Sequence, residues 1–373
     1  MIGPMDDARH LRHAARLALR GHGGAEPNPL VGCVIVSPDE QIVGWGYHRT
    51  CGEAHAEIHA LRRAGNRARG ATVYVTLEPC NHTGRTGPCA EALIHAGVGR
   101  VVIGRLDPHH AAGGGAQRLR DAGIDVCVFR SDFAASVSEP FVHRLNTGLP
   151  WVTVKWAQTL DGKLATRSGQ SQWISSSASR RMVHRERGRV DAILTGIGTV
   201  QIDDPLLTAR QVRRRRIAKR VIADPQLQIS LTARLINTAA EAPTIIACRE
   251  DALHGRSSHV QQLRDAGAEV MPLPVIANER SVEHLLRNIV QQHDVTHVLV
   301  EAGPGLITRL FRHRLVNEAW VFIAPLLLGD ESAPAAVRGM NVEQLADGTR
   351  LQLIDQRRRG GDTMLRYRVR AAE

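Results

Sequence analysis

Short runs rich in β-branched residues alternate with segments of helical period along most of the chain. That alternation constrains the fold more than any other feature of the sequence. Between residues 31 and 129, "VGCVIVSPDEQIVGWGY", "ATVYVTLEP", "RVVIGRLDP" and "IDVCVF" read as strands, the first holding two strands joined by a turn at residues 38–40. Helices are predicted over residues 7–20, from the "HAEIHALRRAG" that follows Ala54, over "PCAEALIHAG" with its early proline and late glycine, and over residues 117–122. Such a pattern stacks strands into a sheet with helices on its faces. A second α/β series begins at "WVTVKWAQ", and the polar stretch "HRLNTGLP" (residues 143–150) reads as the separator. The expected domains are residues 1–147 and 148–373, and 373 residues with 43% hydrophobic content suffice for two cores. We find no internal repeat.

Composition narrows the function classes. The first residues lack the apolar core of a signal peptide and no run of eighteen apolar residues follows, so a cytoplasmic protein with no membrane partner is expected. A net charge of +11 would suit a nucleic-acid binder. With only 3% aromatic residues, however, the chain has little with which to stack bases, and the "RRRR" at residues 213–216 reads as a solvated loop. No nucleic-acid partner is expected. The six cysteines are too few for a disulfide framework, and only Cys80 and Cys89 have neighbours that suggest chemistry. Of 48 basic side chains only Lys155, Lys163 and Lys219 are lysines, and the first two share the segment "VKWAQTLDGKLA", where a compact amine would be retained for a reason.

His55, Cys80 and Cys89 offer one imidazole and two thiolates, a set that suits Zn²⁺ and leaves a fourth position for water. "HAE" and "PC" both fall at helix starts, where thiolates are electrostatically favoured. Glu57, two residues past the histidine, is placed to take a proton from the water and return it to a departing amine. This is the H-x-E plus P-C pattern of zinc deaminases. Eight residues separate the two cysteines instead of the usual two, an insertion that implies a different substrate.

"PNPLVG", "HAEIHAL" and "PCNHTGRTGPC" closely resemble the deaminase half of the bifunctional pyrimidine deaminase/reductases of riboflavin biosynthesis, and "LDGK", "SQWIS", "GTVQIDDPLLTAR" and "VEAGPG" resemble the reductase half. The resemblance covers nearly the whole chain in the same order. It implies a cytidine-deaminase-like three-layer α/β/α domain with a mixed sheet, followed by a dihydrofolate-reductase-like α/β domain. It further implies deamination of a diamino-hydroxy-pyrimidine bearing a phosphoribosylamino group, then NADPH-dependent reduction of the ribose to a ribityl chain. One Zn²⁺ per chain, NADPH, a small phosphorylated pyrimidine substrate and a homo-oligomeric state are the corresponding expectations.

By the same resemblance the zinc ligands fall on His55, Cys80 and Cys89, the proton shuttle on Glu57, and deaminase substrate contacts on Asn28, His82 and Asp107. Taken alone, Asn28 reads as a turn cap, His82 as a loop histidine and Asp107 as a helix or turn cap. In the second half, "VLVEAGPGLITRLF" reads as strand, glycine turn and helix, able to hold a dinucleotide phosphate on its first amides. It lacks the third glycine of a Rossmann fingerprint and comes late in its domain. The resemblance puts the cofactor on Ala157, Trp173, Thr199, Asp203 and the run Gly303, Pro304, Gly305, Leu306, Ile307, Thr308 and Arg309. It puts the phosphorylated substrate on Ser171, Arg187, Leu207, Arg210 and Glu301, with Lys155 and Lys163 as candidates to hold substrate or cofactor anions.

Two stretches depart from the family. "DPHHAAGGGAQRL" is one residue shorter, with His109 replacing an asparagine, and its glycines read as a flexible connection more than as a close approach to ligand. "VIADP" puts Pro225 where a serine is common, and proline cannot donate from its nitrogen. Two other classes compete with this reading: a nucleic-acid deaminase with an appended binding domain, favoured by the basic charge, and a zinc-stabilised, non-catalytic NADPH-binding module.

Overall fold

The computed structural model describes residues 4–82, 87–108, 113–275 and 281–370. They form two compact units, Met1–Gly148 and Leu149–Glu373. His109 of the shortened loop lies outside the described residues, as do residues 83–86 of the long insertion.

The first unit runs α1 (Pro4–Ala18), β1 (Gly32–Val36), β2 (Ile42–Tyr47), α2 (Ala56–Ala64), β3 (Thr72–Val75), α3 (Cys89–His95), β4 (Arg100–Ile103), α4 (Gly115–Asp121), β5 (Asp125–Val128), α5 (Asp132–Ser136) and α6 (Glu139–Thr147). Its sheet has the order β2-β1-β3-β4-β5. β1 is antiparallel to both neighbours, while β3, β4 and β5 are parallel. All five residues of β1 are buried, because apolar layers cover both faces. On one face Ala56, Ala60 and Ala64 of α2, Leu93 of α3 and Leu119 of α4 pack on Ile35, Val73, Val75 and Ile103. On the other, Leu11, Ala14 and Ala18 of α1 pack on Val34, Val36, Tyr74 and Val102. The result is the three-layer mixed-sheet arrangement.

Glycines in β2 let α2 sit directly on the sheet: a Cβ at Gly44 would lie 2.4 Å from the Ala60 carbonyl oxygen, and one at Gly46 2.3 Å from that of Ala56. The start of α2, where His55 and Glu57 lie, is thereby pressed against β2. One sequence reading is corrected here. Residues 143–147 are the second half of α6, which ends at Gly148 in the left-handed conformation, with only Val142 of the helix buried. A single buried position left the helical period too faint to read.

The second unit runs β6 (Trp151–Gln158), α7 (Ser177–Arg187), β7 (Ala192–Gly196), α8 (Ile197–Asp203), β8 (Lys219–Ala223), α9 (Arg234–Asn237), β9 (Thr244–Arg249), α10 (Ser257–Asp265), β10 (Ala268–Leu273), α11 (Ser281–His293), β11 (His297–Val300), α12 (Pro304–Arg312), β12 (Glu318–Ile323), β13 (Leu351–Arg359) and β14 (Asp362–Val369). The sheet order is β10-β9-β8-β7-β11-β6-β12-β14-β13. From β10 to β12 every pairing is parallel, and β14 is antiparallel to both β12 and β13. Two apolar layers, one around Leu285, Ile307 and Leu310 and one around Leu227, Leu235 and Leu263, cover the faces.

Arg220 of β8 is fully buried. Its guanidinium donates to the carbonyls of Leu206, Leu235, Thr238 and Ala242 and to the hydroxyls of Thr238 and Thr244. Burial pushes its pKa down to about 10. In the arginine run, residues 213–215 are exposed, whereas Arg216 pairs with Asp191. Among the described residues no helix is long and apolar enough to cross a membrane.

Candidate active sites

In the first unit the chain converges on His55, Cys80 and Cys89. His55 is the extended residue before α2, Cys80 lies beyond β3, and Cys89 opens α3. The His55 Nδ1 lies 3.5 Å from Cys80 Sγ and 3.3 Å from Cys89 Sγ, and the three ligand atoms lie within 4.8 Å of one another. The Cys89 N–H donates to Cys80 Sγ at 3.3 Å. Hydrogen bonds from Cys89 and His55 favour the thiolate form of Cys80 and push its thiol below the ordinary range. The donor set, spacing and partial burial fit a tetrahedral zinc with one position left over.

Glu57, in the first turn of α2, is 3% exposed, and its Oε2 has no partner among the described residues. Burial pushes its carboxyl up to about 7, against the pull of His55. A buried carboxyl poised near neutrality with a bare oxygen is suited to passing a proton.

Around this cluster the sequence-predicted contacts fall unevenly. The Asn28 side chain lies 3.3 Å from His48 Nε2, and His48 packs edge-on to His55 at 5.2 Å between ring centroids. His48 did not stand out in the sequence, although a histidine directly after the "IVGWGY" strand was the available signal. Burial, then the neighbouring His55, lowers its pKa. His82 is exposed, at the edge of the described residues. The Asp107 N–H donates to Glu78, the residue two before Cys80. The glycines after Asp107 are not the loose connection expected: Gly114 has φ +89°, and a Cβ on Gly115 would lie 1.8 Å from the Pro79 carbonyl oxygen. Only glycine permits that approach.

In the second unit Glu301, just past β11, anchors the other cluster. Arg187 at the end of α7 grips its carboxylate with two bonds of 2.6 and 3.0 Å, and the ammonium of Lys155, on β6, lies 3.9 Å away. Burial pushes the Glu301 carboxyl up, but the charge and hydrogen bonds of Arg187 and the charge of Lys155 outweigh it and hold it down to about 2. Burial lowers the Lys155 ammonium. Thr208 O accepts from Arg187, the Arg210 N–H donates to His184 Nδ1, and the Arg210 guanidinium has no partner among the described residues. His184 is a second residue that sequence reasoning missed. The Leu207 side chain is core, at φ +49°, so only its main chain is left for a ligand.

Of the cofactor candidates, Thr199 lies in the first turn of α8, Asp203 ends that helix, and Gly303 to Arg309 run from the cap of α12 into its last turn. The Gly303 N–H, at the cap of α12, donates to Thr199 Oγ1 at 3.0 Å, and Ser171 Oγ donates to Asp203 at 3.2 Å. Pro304, Gly305, Thr308 and Arg309 line a cleft of about 270 Å³ with Arg312 and Arg338, a donor set that fits a dinucleotide phosphate. Leu306 packs near Gly196, and Ile307 is fully buried in the core, so not every residue of the predicted run faces that cleft. Trp173 is exposed with the Arg180 guanidinium stacked 4.4 Å from its ring centroid, and Ala157 is half-buried on β6. The Lys163 ammonium donates to the carbonyls of Glu331 at 3.4 Å and Ala333 at 3.3 Å, which leaves one of its three donors for an anion. Pro225 uses its carbonyl, accepting from the Arg249 N–H.

Two family models match the chain: "Cytidine and deoxycytidylate deaminase zinc-binding region" over residues 4–105 and "RibD C-terminal domain" over residues 150–365. The riboflavin biosynthesis protein RibD of Aquifex aeolicus is 40% identical over 326 residues, covering 87% of this chain and 88% of that protein. That of Escherichia coli is 38% identical over 380 residues, covering 97% and 99%. The solved structure of Acinetobacter baumannii RibD matches with a TM-score of 0.84 at 37% identity, covering 99% of this chain and all of that one. A Thermotoga maritima structure described as a diaminohydroxyphosphoribosylaminopyrimidine deaminase/5-amino-6-(5-phosphoribosylamino)uracil reductase matches at 0.82 with 29% identity, covering 98% and 99%. Two domains in this order, matched over nearly their whole length, mean that the chain belongs to the RibD family of bifunctional deaminase/reductases of riboflavin biosynthesis.

Proposed function

We propose that the first unit deaminates 2,5-diamino-6-(5-phosphoribosylamino)pyrimidin-4-one and that the second reduces the ribosyl group of the resulting uracil compound to ribityl with NADPH. The observation that carries the first step is the meeting of one imidazole, two thiols and a buried carboxyl with a bare oxygen. His55, Cys80 and Cys89 would hold one zinc ion, which when bound supplies an acidified water as nucleophile at neutral pH. Glu57 takes the proton from the attacking water and returns it to the leaving amine, so water and the amidine become a carbonyl and ammonia. Asn28, His82 and Asp107 are the substrate contacts in this reading.

For the second step, Gly303, Pro304, Gly305, Thr308 and Arg309, with Thr199, Asp203, Ala157 and Trp173, would hold NADPH, which supplies the hydride. Arg210, whose guanidinium is otherwise unengaged among the described residues, holds the substrate phosphate through its planar fork. Arg187 is already committed to Glu301 and Thr208, so it orients Glu301 and adds charge. Ser171 and the main chain at Leu207 complete the pocket, with the Lys155 ammonium beside the Glu301 carboxylate. The test is to supply the phosphoribosylaminopyrimidine with and without NADPH and identify the products. The deaminated ribosyl compound should accumulate without NADPH, and the ribityl compound should form with it. Release of ammonia from RNA but not from the free nucleotide would overturn the reading.

A further inference from the structure

We infer that Glu78 is a positioning residue of the first unit's site: one buried carboxylate ties Asp107 and the Gly114–Ala116 turn to the strand exit that carries Cys80. The inference rests on the deaminase reading above. Glu78 is 8% exposed. Its Oε2 accepts from the Asp107 N–H at 3.0 Å, and its Oε1 accepts from the N–H groups of Gly114 at 3.1 Å and Ala116 at 2.8 Å. Its own N–H donates to the Arg105 carbonyl at 2.9 Å, which continues the β3–β4 pairing beyond the strands. The three donors therefore straddle the loop, Asp107 at its start and Gly114 and Ala116 at its end.

Charge-assisted bonds to both ends set the span between them, whatever residues lie in the middle. Asp107 is thereby held in a set place relative to Gly114 and Ala116. The far end is also seated on the ligand-bearing main chain. A Cβ on Gly115 would meet the Pro79 carbonyl oxygen at 1.8 Å, and one on Gly114 would lie 3.8 Å from the Asn81 side chain. Residues 78–81 and 113–116 thus pack as one block, with Glu78 as the bolt. Cys80 itself is held separately, by His55 and the Cys89 amide.

Glutamine at position 78 has nearly the same volume but one acceptor oxygen, and its NH₂ group would face amide donors. One end of the loop is released while the cysteine stays in place. The experiment compares wild type, Glu78→Gln and Gly114→Ala by zinc per chain, by steady-state ammonia release from the diamino substrate, and by NADPH oxidation with the deaminated uracil compound. For Glu78→Gln, KM for deamination should rise about tenfold or more with kcat within about threefold, the pattern of lost binding without lost chemistry. Zinc and NADPH oxidation should match wild type. Gly114→Ala keeps the carboxylate but strains a left-handed position, and should raise KM in the same direction by less. An unchanged KM in Glu78→Gln overturns the inference, as does loss of zinc or a fall in kcat at constant KM, because either would put Glu78 on the metal or in the chemistry. If Glu78→Gln does not fold, Gly114→Ala decides, its KM rising or not. Wild type that releases no ammonia from this substrate would overturn the deaminase reading, and this inference with it.

Discussion

Glu57 is buried where water cannot solvate its charge, and one of its oxygens is bare, so its carboxyl sits near neutrality instead of in the ordinary carboxylate range. Glu57→Gln should keep helix, volume and zinc, yet lower ammonia release by a factor of roughly 10² to 10⁴, the span typical of lost general acid/base catalysis. NADPH oxidation should vanish with the diamino substrate and proceed normally with the uracil compound. His55→Ala should lose zinc as well as activity, which metal analysis of the two variants separates. Arg210→Lys should raise KM in reduction, since an ammonium cannot reproduce a two-point grip on phosphate, while deamination is untouched. An unchanged KM would remove Arg210 from the phosphate site. Glu301 adds a pH dependence. Its folded pKa of about 2 lies below the ordinary 4.5, so its contribution to stability is complete above about pH 4.5 and is lost as pH falls toward 2. The melting temperatures of wild type and Glu301→Gln should therefore differ most near neutrality and converge on acidification.

Helices and strands meet at distances that single side chains decide. α2 can reach β2 because Gly46 has no Cβ to strike the Ala56 carbonyl, and α2 carries His55 at its cap. Gly46→Ala should destabilise the first unit by roughly 1–3 kcal/mol, the cost of overpacking, and should lower zinc content because the helix start is displaced. Thermal unfolding and metal content together check this; a stable variant with full zinc would show that the helix can shift without cost. Arg220 plays the corresponding part in the second unit, joining β8 to the turns around α9 and to Leu206, next to Leu207. Arg220→Leu removes all six of the guanidinium's bonds. The Thr238 carbonyl keeps the N–H groups of Glu241 and Ala242, but the buried Leu235 and Ala242 carbonyls are left to share the single Thr244 hydroxyl. A buried acceptor without a donor costs on the order of 1–3 kcal/mol. The second unit's unfolding transition should move down accordingly in a calorimetric scan.

Each of the two units has its own sheet and its own chemical cluster. Deamination yields the uracil compound that reduction consumes, so a lesion in the first unit should be bypassed by supplying that compound, and a lesion in the second should leave ammonia release intact. The long parallel run from β10 to β12 brings the ends of β7 and β11 side by side, which is where Thr199, Glu301 and Gly303 collect. Strand ends of a parallel sheet are where ligands generally bind in such folds.

Much of this was legible along the chain because the signals are local. "HAE", "EPC" and "GPC" name the zinc-type donors with no fold needed, since helix starts and thiol chemistry are properties of a few neighbouring residues. The strand and helix alternation is equally local, and so are the β1–β2 turn and the glycine turn before α12. Other features depend on residues far apart in sequence. Glu78 reads as one more polar residue until β4 and α4 bring three amides to its carboxylate across an interval of 29 to 38 positions. Lys163 reads as a cation free to meet an anion, and only the fold shows residues 331–333 returning to take two of its three donors. Gly115 looks flexible until the Pro79 carbonyl arrives where a side chain would stand. Arg220 would be placed in solvent by its charge, and only the convergence of α9 and its flanking turns supplies enough carbonyls to bury it. A residue's chemistry is written in its side chain, but its partners, and therefore which of its options it exercises, follow from long-range packing that no local pattern encodes.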